Sequence, residues 1–238
     1  FAVVVPFDAA FSGLSAKAFE SDVLAGSLAV RHIVVGHDFQ YGKSRGGTVD
    51  ALVEAGRSFG FAVTTIAAQA ADGAIISSSR IRDLLTAGKV AAAADLLGHW
   101  WRVNGTVTGG AKRGTGLGFP TANFSLDHRQ LPAHGIYASY AVIDGVRHAA
   151  ASYLGTRPTF DNGAPVMESF LFDFDGDLYG REIGIEFLEH LRGDQGFASV
   201  EALVAQMEVD CRAARDVIAG LRRDDPRGRL TLPNLAER

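Results

Sequence analysis

Gly109-Gly110-Ala111-Lys112-Arg113-Gly114-Thr115-Gly116-Leu117-Gly118-Phe119-Pro120-Thr121-Ala122-Asn123 is the stretch on which the reading of this chain turns. Five glycines and two cations lead into an apolar Pro-Thr-Ala-Asn ending. Glycine lets backbone N–H groups turn inward and approach an anion closely, and Lys112 and Arg113 add positive charge. Thr121 and Asn123 offer oxygens two residues apart, on one side of an extended segment. Two readings fit these residues. One is a nucleotide loop holding a phosphate chain with a divalent cation. The other is a long hairpin loop entering a buried strand, since Gly-rich turns are common between strands.

On both sides of this stretch the pattern is extended. Runs over 102–108, 119–124, 136–143, 146–154, 166–174 and 183–187 read as strands, with turns containing Gly and Asp between them. Asp144-Gly145 is a hairpin signal. Several short strands with such turns predict an antiparallel sandwich or barrel. A helix over 199–221 follows, with Ser199 as half of a capping box and Leu203, Met207, Cys211 and Ala214 along an apolar stripe. Residues 222–238 are charged, contain two prolines and read as a loose tail.

The first 98 residues differ in kind. Ala2-Val3-Val4-Val5 reads as a buried strand, Ser15 opens a helix ending near Gly26, and strands over 31–36 and 61–66 flank a helix over 48–59. Strand and helix alternation predicts a parallel sheet with helical crossovers. Ligands in such folds bind at the carboxyl ends of strands, which singles out the loop from His37 to Gly47. Gly36 to Ser44 is no P-loop, because five residues rather than four precede Gly42-Lys43-Ser44. Ile76-Ser77-Ser78-Ser79-Arg80-Ile81-Arg82 precedes an apolar helix. Ser79 is the natural N-cap, and the free amides with Arg80 and Arg82 make either an anion site or a plain capped helix. A second helix over 90–97 ends at Gly98, and Gly98-His99-Trp100-Trp101 marks a boundary between two domains, 1–98 and 99–221.

Composition narrows the function classes. With 238 residues, 47% hydrophobic and 21% charged, the chain is long enough for one large or two modest domains. A net charge of −4 without a face-sized basic cluster argues against a nucleic-acid partner. No apolar run approaches the roughly 20 residues of a membrane span. The single cysteine, Cys211, excludes an internal disulfide and fits the cytoplasm, in a core or semi-buried position. Glu168 shares a strand face with Val166 and Phe170, where a carboxylate is costly to bury without a role or a partner. Asp173-Phe174-Asp175-Gly176-Asp177 departs from a calcium loop and reads as an acidic turn. Arg157, in a turn rich in special residues, faces either an anion or a carboxylate.

Taken together, the residues resemble the bacterial bifunctional riboflavin kinase/FMN adenylyltransferases, also called FAD synthetases. The stretch Gly114 to Asn123 resembles the kinase module's Gly-rich loop and Pro-Thr-Ala-Asn motif. Gly155-Thr156-Arg157-Pro158-Thr159-Phe160, Glu168 through Phe174, Asp177-Leu178-Tyr179-Gly180 and Leu191-Arg192 before Phe197 follow in the family's order. Thr115 and Phe170 stand where many members have Arg and His. The resemblance implies a six-stranded Greek-key barrel over about 99–221, with riboflavin and ATP as substrates and FMN and ADP as products. It implies Thr121 and Asn123 holding Mg²⁺ and the ATP phosphates, with Gly109, Gly110, Lys112, Gly114, Gly116 and Gly118 along the nucleotide. Glu168 would be the general base on the ribityl 5′-hydroxyl.

The first half resembles the adenylyltransferase module, a Rossmann-like nucleotidyltransferase. Gly36-His37-Asp38-Phe39-Gln40-Tyr41-Gly42 matches one of its loops, placing Asp38 near substrate. Ser77, Ser78, Ser79 and Arg82 match its phosphate-binding motif. Its His-x-Gly-His element is not found, and the chain opens on a core strand without a methionine. The expectation is therefore a truncated first domain in which the adenylyltransferase activity is lost.

Overall fold

The computed structural model describes residues 2–109, 119–126, 130–156 and 165–221, with Asp225 and Arg227. Arg157 and the rest of the 222–238 tail lie outside the described residues. The chain forms two compact units, Phe1–Ile76 and Ser77–Arg238. The sequence boundary near 98 marks a change of secondary structure, whereas compactness divides the chain earlier.

In the first unit the expected strand over 2–5 is absent. Among the described residues no strand pairs with it, and Val3, Val4 and Val5 are exposed. Helices α1 (Ala9–Ser12) and α2 (Ala16–Ala18) are capped by the Asp8 and Ser15 side chains. Helix α2 then widens into a π-helix, Phe19–Ser27, where one α-helix was expected. Strands β1 (His32–Gly36) and β2 (Ala62–Ile66) pair in parallel across α3 (Val49–Phe59), as strand–helix–strand alternation requires. Thr48 caps α3, and Gly60 ends it in the left-handed conformation. Leu52 and Ala55 of α3 pack with Leu24, Tyr41 and Phe61. The Tyr41 hydroxyl donates to buried Glu20 at 2.5 Å. Burial, then this carboxylate, pushes the phenol well above its ordinary range. A short hairpin, β3 (Ala70–Ala71) with β4 (Ala74–Ile75), turns at Asp72-Gly73, both at positive φ; this is the same dipeptide signal as Asp144-Gly145, and the reading of the sequence passed over it.

The second unit begins with α4 (Ser78–Thr86) and α5 (Val90–Leu97). Ser77, rather than the expected Ser79, is the N-cap: its Oγ accepts the Arg80 N–H at 3.2 Å, which puts Ser78 and Ser79 inside the first turn. Six strands then close a barrel: β5 (Trp101–Thr108), β6 (Ala122–Leu126), β7 (Gly135–Ile143), β8 (Val146–Thr156), β9 (Pro165–Leu171) and β10 (Glu182–Arg192). The order around the barrel is β10-β5-β6-β9-β8-β7, every pair antiparallel. Asp144 and Gly145 both adopt positive φ in the β7–β8 turn, as a two-residue hairpin needs. Strand β6 starts after Pro120, which has no N–H for a ladder, three residues later than the pattern implied. Strand β10 runs past Phe187 to Arg192 because register shifts interrupt its alternation and hid the continuation.

The barrel interior holds residues such as Val103, Val107, Tyr137, Leu154, Met167 and Phe187, joined by Leu85, Val90 and Ala93 from the two helices. One level inside it is polar. Ser139, Ser152 and Ser169, on β7, β8 and β9, are fully buried, with Oγ separations of 2.7 and 2.6 Å. Ser139 donates to the Ala150 carbonyl at 3.2 Å, so it accepts from Ser152, which in turn accepts from Ser169. Every hydroxyl proton is thereby used. Helix α6 (Val200–Gly220), N-capped by Ser199, covers the outer face, where Ala214 packs with Trp100, Ala138, Phe172 and Leu188. Two ion pairs tie it down, Arg192–Asp210 and Arg215–Asp173.

Candidate active site

Strand geometry brings three of the sequence candidates together. Asn123 on β6 lies directly opposite Glu168 on β9. Thr121 sits just before β6, and its hydroxyl donates to Glu168 Oε2 at 3.4 Å. Asn123 donates through Nδ2 to the Thr121 carbonyl at 3.3 Å, which orients its amide. Glu168 alternates outward between Met167 and Ser169, whose side chains point into the barrel. It is half-buried, as a carboxylate must be if it is to meet a ligand without losing all its water.

Two cavities flank this cluster. The larger, about 670 Å³, lies between the outer face of β8 and β9 and the first half of α6. Tyr153, Glu168 and Phe170 line it from the barrel, and Met207 and Cys211 from the helix. Burial, with the Asp210 carboxylate beside it, pushes the Cys211 thiol up to about 11, which makes it an apolar wall residue rather than a nucleophile. The smaller cavity, about 570 Å³, lies between Val107, Pro120 and the turn from Asp173 to Tyr179. Thr121 and Phe170 line both. The acidic run 173–177 is a turn, as expected, with Asp173 held below the usual carboxylate range by hydrogen bonding to Arg215.

The remaining candidates are placed unevenly. Gly109 ends the extended run from β5 and is exposed, with open space around its Cα. Gly110, Lys112, Gly114, Gly116 and Gly118 lie outside the described residues. Asp38 is exposed in the turn after β1, at the carboxyl end of the parallel sheet, and belongs to the first unit. Ser77, Ser78, Ser79 and Arg82 cap and open α4 and belong to the second. Sequence reasoning did not single out Tyr153 or the cavity role of Met207 and Cys211. The helical stripe was visible, but stripe residues read alike whether they face a core or a cavity wall.

The family model described as riboflavin kinase matches residues 97–218. A protein from Pseudomonas fluorescens, bifunctional riboflavin kinase/FMN adenylyltransferase, is 38% identical over 214 residues, which span 90% of this chain and 69% of that relative. The chain belongs to the bifunctional riboflavin kinase/FMN adenylyltransferase family. Relatives of the same description from Escherichia coli K12 and Bacillus subtilis 168 are 36% and 35% identical, covering 91% and 92% of this chain and 69% and 70% of theirs. A crystal structure described as a macrolide-efflux protein from Streptococcus pneumoniae superposes with a TM-score of 0.77 at 31% identity, over 88% of this chain and 68% of that one. The FAD synthetase model matches residues 1–80. That match corrects the expectation that the second activity is lost. Residues 1–80 carry the family's FAD synthetase signature, and the unmatched His-x-Gly-His pattern is no ground for removing it. Among the described residues no helix is long and apolar enough to cross a membrane.

Proposed function

We propose that the barrel, over 99–221, is an ATP- and Mg²⁺-dependent riboflavin kinase that phosphorylates the 5′-hydroxyl to give FMN. The observation that carries this reading is Thr121: it lines both cavities and touches Glu168. An acceptor in the larger cavity and a nucleotide in the smaller one would meet at that residue. The larger cavity joins aromatic and apolar side chains such as Phe170 and Met207 with polar ones such as Arg192 and Asp210, which suits a flavin ring with apolar faces and an edge of carbonyl and N–H groups.

Phosphoryl transfer needs positioning and charge neutralisation more than covalent help from the protein. Glu168 accepts the proton of the ribityl hydroxyl as its oxygen attacks the γ-phosphorus, and ADP leaves with the electron pair of the broken P–O bond. Thr121 and Asn123 would hold the metal–phosphate group, and the resemblance assigns the phosphates to the amides of Gly109, Gly110, Gly114, Gly116 and Gly118, with Lys112. The donor set fits magnesium. The hydroxyl oxygen of Thr121 and the carboxamide oxygen of Asn123 are hard ligands, and magnesium commonly binds through few protein groups plus water and substrate phosphates. Bound there, the ion would neutralise phosphate charge.

The test is product formation from riboflavin, ATP and Mg²⁺: FMN, or FAD made from it, is expected, and the absence of both refutes the reading. Glu168→Gln should lower turnover while leaving ATP affinity nearly intact; unchanged turnover would remove Glu168 as base. Asn123→Ala should weaken Mg·ATP binding, and equal affinity would contradict that assignment.

A further inference from the structure

The boundary between the two cavities is made of unlike materials. Thr121, with Glu168 beside it, is one part and is polar. Phe170 is the other, and it also lines both cavities. Its position follows from the strand: two residues beyond Glu168 on β9, it projects from the same outer face. Phe170 is clamped from two sides. The Phe119 ring meets it edge-to-face at 5.3 Å and 72°, and Phe172, which is buried, meets it at 5.7 Å and 78°. Edge-to-face packing holds a ring in one orientation. A phenylalanine there can neither hydrogen-bond a water nor pass a proton along.

That matters because a base aimed at an alcohol does not by itself distinguish alcohol from water. If water reached the γ-phosphorus beside Glu168, its oxygen would attack and its proton would go to the carboxylate. The bond to the β-phosphate oxygen would break, yielding ADP and inorganic phosphate without FMN. Excluding water from the reacting centre is what suppresses such a side reaction. We infer that Phe170, held by Phe119, is the partition that makes phosphoryl transfer selective for the flavin alcohol over water, a specificity-determining residue beside the base. The inference rests on the kinase reading above.

Its test is a stoichiometry. The full chain, with ATP and Mg²⁺, is assayed for ADP and for FMN, any FAD made from it being counted as FMN, with and without riboflavin, and tryptophan fluorescence checks the fold of each variant. The wild type should release one ADP for each FMN and little ADP without riboflavin. Phe170→Ala should raise the ADP-to-FMN ratio on the order of tenfold, the scale on which one apolar contact discriminates between competing substrates. Phe119→Ala, which loosens the same ring, should shift the ratio in the same direction by less. Should Phe170→Ala not fold, Phe170→Leu, which keeps apolar bulk but loses the edge-to-face contact, must show the rise. A folded Phe170→Ala that stays coupled overturns the partition, and so does one that loses FMN formation with no gain in hydrolysis. A wild type that makes no FMN overturns the kinase reading itself and the partition with it.

Discussion

Asp210→Asn keeps the side chain's shape and removes its charge, and the effect can be worked out from the contacts around it. Arg192 donates Nε to Oδ1 and Oδ2 at 3.0 and 3.2 Å and Nη2 to Oδ2 at 2.7 Å. Gln206 adds a bond to Oδ1 at 2.9 Å. The Asp210 side chain is 8% exposed and that of Arg192 22%. Removing one partner of a buried ion pair costs about 3–5 kcal/mol, and the partial exposure of Arg192 puts the loss near the lower end, about 3 kcal/mol. Both tryptophans, Trp100 and Trp101, lie in the second unit, so their fluorescence follows the unfolding of that unit alone. At about 2–4 °C per kcal/mol the midpoint should fall by about 6–12 °C. Arg192 and Asp210 also line the larger cavity, so riboflavin binding, read from flavin fluorescence, should weaken. The control is Asp173→Asn. The Arg215–Asp173 pair also ties α6 to the barrel, but its side chains are 50% and 81% exposed, and water screens what the pair gains. No measurable shift is expected there. A midpoint within about 2 °C of wild type for Asp210→Asn, or equal shifts in both variants, would refute the claim that burial decides which pair holds the helix.

Iodoacetamide should modify Cys211 on the order of 100-fold more slowly at pH 8 than an exposed thiol, since its thiolate is suppressed by the rise from 9.0 to about 11; equal rates would contradict its burial. The folded form holds that proton more tightly than the unfolded chain, so the stability it contributes is complete below pH 9.0 and lost as pH rises through about 11, which urea titrations across that window can check. Gly155→Ala would place a Cβ against the ring and hydroxyl of Tyr153, displacing a wall of the larger cavity. The KM for riboflavin should rise on the order of tenfold with that for ATP changing less, and equal changes would deny the separation of the two cavities. Ser152→Ala removes the middle hydroxyl of the buried chain and should cost about 1–3 kcal/mol; a neutral result in urea unfolding would show that its neighbours re-pair without it.

The barrel was legible where period-two alternation was clean. The β7–β8 hairpin, announced by Asp144-Gly145, and β5 came out within a residue or two of their structural limits. Legibility failed where alternation did. The register shifts in β10 concealed its last residues, and Pro120 delayed β6 although the pattern looked continuous. In the first unit, Ala2-Val3-Val4-Val5 had the apolar composition of a strand, but a strand needs a pairing neighbour that a local pattern cannot supply. The π-helix kept nearly the same apolar stripe as an α-helix, so its wider turn left no mark. At the site, chemistry was easier to read than shape. Thr121, Asn123 and Glu168 stood out by residue type, and the ladder of β6 against β9 sets them side by side. The cavities depend on how α6 lies over the barrel, and contacts between elements so far apart in sequence leave no periodic trace.

Helices α4 and α5 resemble neither a linker nor a lid in their packing. Leu85, Val90 and Ala93 belong to the same core as the barrel interior, and the Ala133 N–H donates to the Leu85 carbonyl at 3.0 Å. For anyone cutting the gene into parts, the change of secondary structure near residue 98 is therefore the wrong place for the scissors. A fragment starting at Trp101 would leave the faces that Leu85, Val90 and Ala93 cover open to water, whereas one starting at Ser77 keeps them shut. The same cut would carry Ser77 to Arg82, the stretch that resembles the adenylyltransferase phosphate motif, away with the kinase half. The match to the FAD synthetase model thus runs past the first unit into the first turn of α4, a helix that packs on the barrel.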